Sequence, residues 1–352
     1  MKRYLEAIRK VVPYVPGDQP NFPDMIKLNT NENPYPPAPE VQEILKMSHA
    51  DQLRLYPDPT SHELNAAIAD FYHVQESQVF TGVGSDDVLA MIFQTFFQSD
   101  LPILFPDITY AFYPVWCDLF RIPYEVQPLN DKLEIVPEDY FRENGGIVFP
   151  NPNAPTGIAM PTSEIERILQ HNPESLVVVD EAYVDFGGES CVPLIDQYEN
   201  LLVVQTFSKS RQLAGARLGL AMGNAALIAD LNRVKFSLNP YNINRLTLKA
   251  GQAALEDTAY FDRTRAAIVD TRAWTKQQLE QRGFAVLDSR SNFLFASTDR
   301  KDGRTLYKEL KKNGILVRHF DAPRIQNWLR ITIGTPEQMQ TFMETLDKIM
   351  EE

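Results

Sequence analysis

The chain has 352 residues, 44% hydrophobic and 23% charged, the composition of a globular protein with ample material for one large and one small domain. Lys and Arg number 34 against 47 Asp and Glu, a formal charge of −13, and no basic stripe is present to serve nucleic acid or an anionic membrane, although a small anionic substrate is compatible. The two cysteines, Cys117 and Cys191, lie far apart and outside any C-x-x-C arrangement, which excludes a disulfide framework and a cysteine-based zinc site and fits a reducing compartment.

The opening stretch MKRYLEAIRKVVPYVP is basic but lacks the unbroken apolar run of a signal peptide. No segment approaches the ~20 apolar residues that span a bilayer, so a soluble cytoplasmic protein is expected. Residues 13–39 are crowded with proline and asparagine, as in NTNENPYPPAP, which blocks regular helix and predicts an extended arm lying against a neighbour. From about residue 40 helical stretches such as SHELNAAIADFY alternate with short β-branched runs, GGIVFPNP, SLVVVDEAY and NLLVVQTFS. Strands so continuously apolar are buried on both faces, which predicts an α/β fold with a parallel sheet between helices. A polar helix is expected around residues 255–282, leading into a smaller α+β region with strands near SNFLFAS, GILVRHF and WLRITIG. The expected division is an arm over 1–40, a large domain over 41–260 and a small domain over 261–352.

In open α/β sheets functional groups gather where strands end. The first candidate in chain order is TGVGSDDVLAMIFQTFF, in which Ser85, Asp86 and Asp87 fall where an N-cap and first turn belong. A glycine turn into a helix start offers backbone N–H groups to an anion. The plainer reading is a capped core helix, and two aspartates would repel a phosphate that met their side chains. Neither G-x-G-x-x-G nor a Walker loop is completed, which weakens a nucleotide reading. Asn151 and Asn153 follow the next strand, Asp180 and Tyr183 the one after. Asp180 can be a simple cap, or the carboxylate that keeps the ring nitrogen of pyridoxal phosphate protonated as an electron sink. Ser208 and Lys209 end the third run, with Arg217 close behind: an amine, a hydroxyl and a guanidinium suited to a phosphorylated aldehyde. The five histidines, 49, 62, 73, 171 and 319, show no metal-ligand spacing and read as helix-surface or loop residues, and Arg324 reads as solvated.

The set GVGSDD, TYAFY, NPNAPTG, DEAY and SKSRQLAGARLG resembles the fold-type I pyridoxal-phosphate aminotransferases over nearly the whole chain. The arm KLNTNENPYPPAP together with LYPDPT, GILVRHF and WLRITIG is similar to their histidinol-phosphate branch. The resemblance implies a large domain built on a mostly parallel seven-stranded sheet. It makes Lys209 the lysine that bonds pyridoxal 5'-phosphate and carries the proton, Asp180 the partner of the ring nitrogen, Tyr183 that of the ring hydroxyl, and Tyr110 the ring that stacks on the cofactor. Gly84, Ser85, Asp86, Ser208 and Arg217 would hold the phosphate. Tyr56 matches a tyrosine inserted into the other subunit's site, which implies a homodimer with shared sites. Arg330 and Arg318 match arginines for the substrate's carboxylate or phosphate, and Tyr14 an arm tyrosine near that phosphate. The pattern departs at Ala154, where the family usually has an asparagine on the ring hydroxyl; Asn153 is the expected substitute. The implied reaction moves the amino group of L-histidinol phosphate to 2-oxoglutarate, giving imidazole-acetol phosphate and glutamate. An aromatic amino-acid aminotransferase and a decarboxylase of a phosphorylated amino acid use the same lysine and aspartate and remain alternatives, whereas a regulatory module would need a DNA-binding segment.

Overall fold

The runs GIVFP, VVVD and LLVVQT are buried at every position because both faces of their sheet are covered. They form its centre in the computed structural model, which describes residues 11–18, 25–46 and 50–351. The first ten residues, residues 19–24 of the expected arm, and His49 lie outside the described residues.

In chain order the strands are β1 (Ile26–Lys27), β2 (Val79–Gly82), β3 (Ile103–Pro106), β4 (Tyr124–Gln127), β5 (Gly146–Pro150), β6 (Val177–Asp180), β7 (Leu201–Thr206), β8 (Gly219–Gly223), β9 (Ala285–Val286), β10 (Phe293–Ser297), β11 (Ile315–Leu316), β12 (Arg318–His319) and β13 (Trp328–Thr332). The large sheet has the order β2-β8-β7-β6-β5-β3-β4, and β8 alone runs antiparallel to its neighbours. Alternation along each strand sends side chains to two cores. Val177, Val179 and Val203 pack with Ile68, Ile165 and Ile168 on one side. Val178, Leu202 and Val204 pack with Ile92, Phe93 and Trp116 on the other.

A second, antiparallel sheet of order β12-β13-β10-β9 packs its own core of Leu294, Leu329, Ile331 and Phe342 against the flanking helices. The polar helix expected around residues 255–282 is present as Thr258–Gln281, directly preceded by the separate helix Arg245–Glu256. Asp257 ends the shorter and caps the longer through a bond from the Tyr260 N–H at 3.0 Å, a local competitor that ends one helix while starting the next. The described arm is extended until Pro39 opens the Pro39–Lys46 helix. Its β1 pairs in parallel with β11, and Leu28 and Thr332 are joined by a backbone bond at 3.0 Å, so the arm is tied to the second sheet.

Candidate active site

The register of the large sheet brings the separate sequence candidates to one edge. Pro150 pairs with Asp180, Asp180 with Val204, and Thr206 with Gly219, which pairs in turn with Gly82. Because β8 is antiparallel, it starts where its neighbours end, so Arg217 joins Lys209, Asp180 and Ser85 on the same rim. Together with the arm and the second sheet they enclose a cavity of about 410 Å³.

Lys209, Asp180, Tyr183 and Tyr110 all line it. The amine of Lys209 donates to the Thr30 carbonyl at 3.3 Å and lies 5.7 Å from the centre of the Tyr183 ring. Asp180 is 5% exposed; its Oδ1 accepts the Ala182 N–H at 3.1 Å and its Oδ2 the Tyr113 hydroxyl at 3.3 Å. Burial outweighs these bonds and pushes its carboxyl up to about 7. Such a group demands a cation beside it to stay ionised.

At the far end Ser85, Asp86, Ser208 and Arg217 face the cavity. Gly84 opens the Gly84–Phe96 helix at φ +82°, and a Cβ there would come within 2.6 Å of the Arg217 guanidinium. Gly219 likewise has no room for a side chain, since a Cβ would meet the Ser85 nitrogen at 2.3 Å. Backbone therefore lies close to backbone here, leaving N–H groups of the helix start facing an arginine. Ser85 and Asp86 are not the cap that spacing suggested. The helix begins at Gly84, two residues earlier, with Val83 at the cap, so all three residues lie in the first turn as expected, and Asp87 Oδ2 accepts the Val83 N–H at 2.8 Å. Asp86 is instead neutralised: Arg217 donates to Oδ2 at 3.0 Å and the Tyr110 hydroxyl to Oδ1 at 2.6 Å. The expected clash with a phosphate is thus offset by the adjoining guanidinium.

The opposite wall is basic. Arg318 and Arg330 are register partners on β12 and β13, and both line the cavity. Arg330 donates to the Asn29 carbonyl at 3.0 Å, its Nε has no partner among the described residues, and burial lowers its pKa. Arg318 donates to the Val15 carbonyl at 3.3 Å. Tyr14 stacks on Phe112 at 4.2 Å and also faces the cavity.

Three expected residues, Gly84, Asn153 and Tyr56, are not in the cavity wall, and Gly84 is beside it only through its contact with Arg217. Asn153 is buried with its side chain committed elsewhere: Nδ2 donates to the Ile108 carbonyl at 3.0 Å and to Thr156 Oγ1 at 3.2 Å, and Oδ1 accepts from Thr109 at 3.2 Å. It braces its own loop, and Ala154 occupies the wall, so the expected substitution of one asparagine for the other is corrected. Tyr56 is 76% exposed and stacks on Tyr241 at 4.5 Å. Arg324 is exposed, as expected, and also bonds Asp107 at 2.8 Å and the Leu129 and Asn130 carbonyls at 2.7 and 3.0 Å. One further reading is corrected. His319 stands on β12, with a side chain only 8% exposed, its Nε2 2.7 Å from the Gln326 carbonyl.

Sequence reasoning missed Tyr113 and Asn31. Tyr113 lies in the Phe112–Phe120 helix, fully buried, and reaches Asp180, which is 67 residues away in the chain. Asn31 stood in an asparagine-rich arm read only as helix-breaking; it is 1% exposed and donates to the Tyr183 hydroxyl at 2.9 Å.

The donor set fits a phosphorylated pyridine aldehyde. It offers an amine for the aldehyde, a buried carboxyl that needs a cation, and a guanidinium beside a helix start for a phosphate. Among the described residues no three His, Cys, Asp or Glu side chains converge to hold a metal ion, and no helix is long and apolar enough to cross a membrane.

Comparison with known proteins gives a consistent picture. The family model "Aminotransferase class I and II" matches residues 23–346. The chain is 52% identical over 342 residues to the histidinol-phosphate aminotransferase of Pseudomonas syringae pv. syringae, covering 97% of this chain and 98% of that one. It is 50% identical over 343 residues to that of Lactococcus lactis subsp. cremoris, covering 97% and 96%. Among solved structures, histidinol-phosphate aminotransferase from Clostridium acetobutylicum superposes with a TM-score of 0.86 at 22% identity, over 93% of this chain and 99% of that one. L-threonine-O-3-phosphate decarboxylase from Porphyromonas gingivalis gives 0.78 at 22% identity, over 93% and 100%. The fold alone therefore does not separate transfer from decarboxylation.

Proposed function

From the premise that this chain belongs to aminotransferase class I and II, within the histidinol-phosphate aminotransferases, we propose that it moves the amino group of L-histidinol phosphate to 2-oxoglutarate. The products are imidazole-acetol phosphate and glutamate. The cofactor is pyridoxal 5'-phosphate, which when bound supplies an electron sink for the bond broken at the donor's α-carbon.

Lys209 would hold the cofactor covalently through Nζ, and the same atom, once free, would take the proton from the donor's α-carbon. The Thr30 carbonyl, 3.3 Å from that nitrogen, gives the released amine a resting place. Asp180 would pair with the ring nitrogen, and the bonds from Tyr113 and Ala182 hold its carboxylate in place. Tyr183 would donate to the ring hydroxyl and Tyr110 would stack on the ring. Ser85, Ser208, Arg217 and the backbone at Gly84 and Asp86 bind the phosphate. Within an arm over 1–40, the described residues Tyr14, Gly17 and Asn29 to Glu32 line the cavity; the large domain over 41–260 carries the cofactor groups, and the small domain over 261–352 carries the substrate arginines. Tyr56, exposed together with Leu53, Leu55, Phe236, Leu238 and Tyr241, is offered to a second copy, so the working form is a homodimer with shared sites.

The observation that carries the substrate class is the pairing of Arg318 and Arg330 across β12 and β13 in the cavity that holds Lys209. Two guanidiniums suit a phosphate dianion, and one suffices for the carboxylate of the acceptor. The test is a donor screen with excess 2-oxoglutarate, comparing histidinol phosphate with phenylalanine and tyrosine while following glutamate and carbon dioxide. Preference for histidinol phosphate with glutamate formation supports the reading; preference for the unphosphorylated aromatics, or release of carbon dioxide, overturns it.

A further inference from the structure

The hydrogen bonds around Asn31 have only one consistent direction, and it begins at a group that cannot be reversed. The backbone N–H of Asn31 donates to Thr332 Oγ1 at 3.0 Å. A backbone N–H only donates, so the threonine oxygen accepts there and its own proton goes to Asn31 Oδ1, also 3.0 Å away. That assignment fixes the amide with Nδ2 on the other side, 2.9 Å from the Tyr183 hydroxyl. The reversed amide would leave the Thr332 proton unpaired in a buried place, because both residues are almost wholly enclosed. Tyr183 therefore accepts from Asn31, and its own proton has no protein acceptor among the described residues. The hydroxyl borders the cavity, and that proton is directed into it.

We propose that Asn31 is a positioning residue that aims the Tyr183 hydroxyl proton at the ring oxygen of the bound cofactor, in a site where Ala154 supplies no second donor. The inference rests on the cofactor reading above. Tyr183 then carries alone a task that the asparagine of related loops would share, and a phenol that accepts one hydrogen bond donates the next one more strongly. Asn31 is itself held at both ends, since its carbonyl accepts from Asn292 Nδ2 at 3.0 Å. Its αL backbone at φ 56° suits asparagine. The chain from Thr332 on β13 through Asn31 to Tyr183 also places the orientation of this phenol under the control of the second sheet.

A bond from Tyr183 stabilises negative charge on the ring oxygen. The same charge attracts the proton on the nitrogen that joins Lys209 to the cofactor, so weakening the Tyr183 bond raises the pKa of that nitrogen. The titratable groups around Tyr183 are Lys209 from the loop after β7, Asp180 from β6, Arg330 from β13, and Tyr110 just before and Tyr113 within the Phe112–Phe120 helix, with Glu32 of the arm on the same cavity; none is altered by the Asn31 and Thr332 variants below.

The experiment is a spectroscopic pH titration of the cofactor-reconstituted protein, following the visible band of the Lys209 linkage. Asn31→Gly keeps the αL backbone and removes the amide; Thr332→Val keeps shape and removes only the hydroxyl that orients it. Both are expected to raise the linkage pKa, Asn31→Gly by roughly 0.5 to 1 unit, the size of one neutral hydrogen bond. In a Tyr183→Phe background neither variant should shift it further. Should Asn31→Gly fail to fold, Thr332→Val alone decides. An unchanged pKa, or a shift that persists in full without the tyrosine hydroxyl, overturns the inference. Absence of any visible band in the wild-type protein would instead overturn the cofactor reading.

Discussion

Arg318 and Arg330 occupy opposed positions on two antiparallel strands and enter one cavity from the same side. Arg330 is the deeper of the two, with a buried Nε that has no partner among the described residues.

Their difference in setting predicts different effects. Arg330→Ala should lower kcat/KM for both the donor and 2-oxoglutarate by about 100-fold, the scale of a lost charge-assisted hydrogen-bond pair. Arg318→Ala should cost roughly 10-fold, and only for the phosphorylated donor, because one guanidinium suffices for a carboxylate. Steady-state kinetics with histidinol phosphate and histidinol as donors checks this, and equal loss with both donors would remove Arg318 from phosphate recognition.

Gly84→Ala should weaken cofactor binding while leaving the fold intact. The new methyl would meet the Arg217 guanidinium at 2.6 Å, and the residue would hold φ +82°, so Arg217 must move off the helix start. An increase in the cofactor Kd of about 10-fold or more, read from a reconstitution titration, is expected.

Asp180 makes the cofactor-free protein sensitive to pH. Burial raises its folded pKa from an ordinary 3.8 to about 7, so the folded state holds a proton that the unfolded state has released. Stability from this group is present below the lower value and is lost as pH rises to the upper one, an effect on the order of 4 kcal/mol. Glu181 is raised to about 7 as well, by burial, so the difference between wild type and Asp180→Asn isolates the first group. Denaturant melts of the cofactor-free proteins should show Asp180→Asn the more stable above pH 7, with the gap closing towards pH 4. Cofactor should flatten the wild-type dependence by giving the carboxylate a cation.

Tyr56 tests the shared site. Lys209→Ala and Tyr56→Ala homodimers should each be impaired, while a mixture refolded together should regain activity, since half of the sites in a mixed dimer carry neither change. No gain on mixing would confine Tyr56 to its own subunit.

The apolar runs of β5, β6 and β7 were legible because burial on both faces leaves an unbroken β-branched signature, and the groups at their ends followed from where such strands stop. The Thr258–Gln281 helix was legible to within a few residues, but its cap at Asp257 was not, since an aspartate in a polar helical pattern reads equally as a surface residue. Asn31 and Tyr113 were hidden for a different reason. Each acts on a residue far away in the chain, 152 positions for Asn31 with Tyr183 and 67 for Tyr113 with Asp180, and no local pattern encodes such a pairing. Asn153 misled because its spacing fits a cavity residue, yet the turn of the loop presents Ala154 instead.

The central claim is that Lys209 Nζ bonds the cofactor. Reconstitution with pyridoxal 5'-phosphate, reduction with borohydride and peptide mapping should find the pyridoxyl label on the peptide containing Lys209, and none in Lys209→Ala. A wild-type protein that stays colourless, or carries its label on another lysine, would contradict the account.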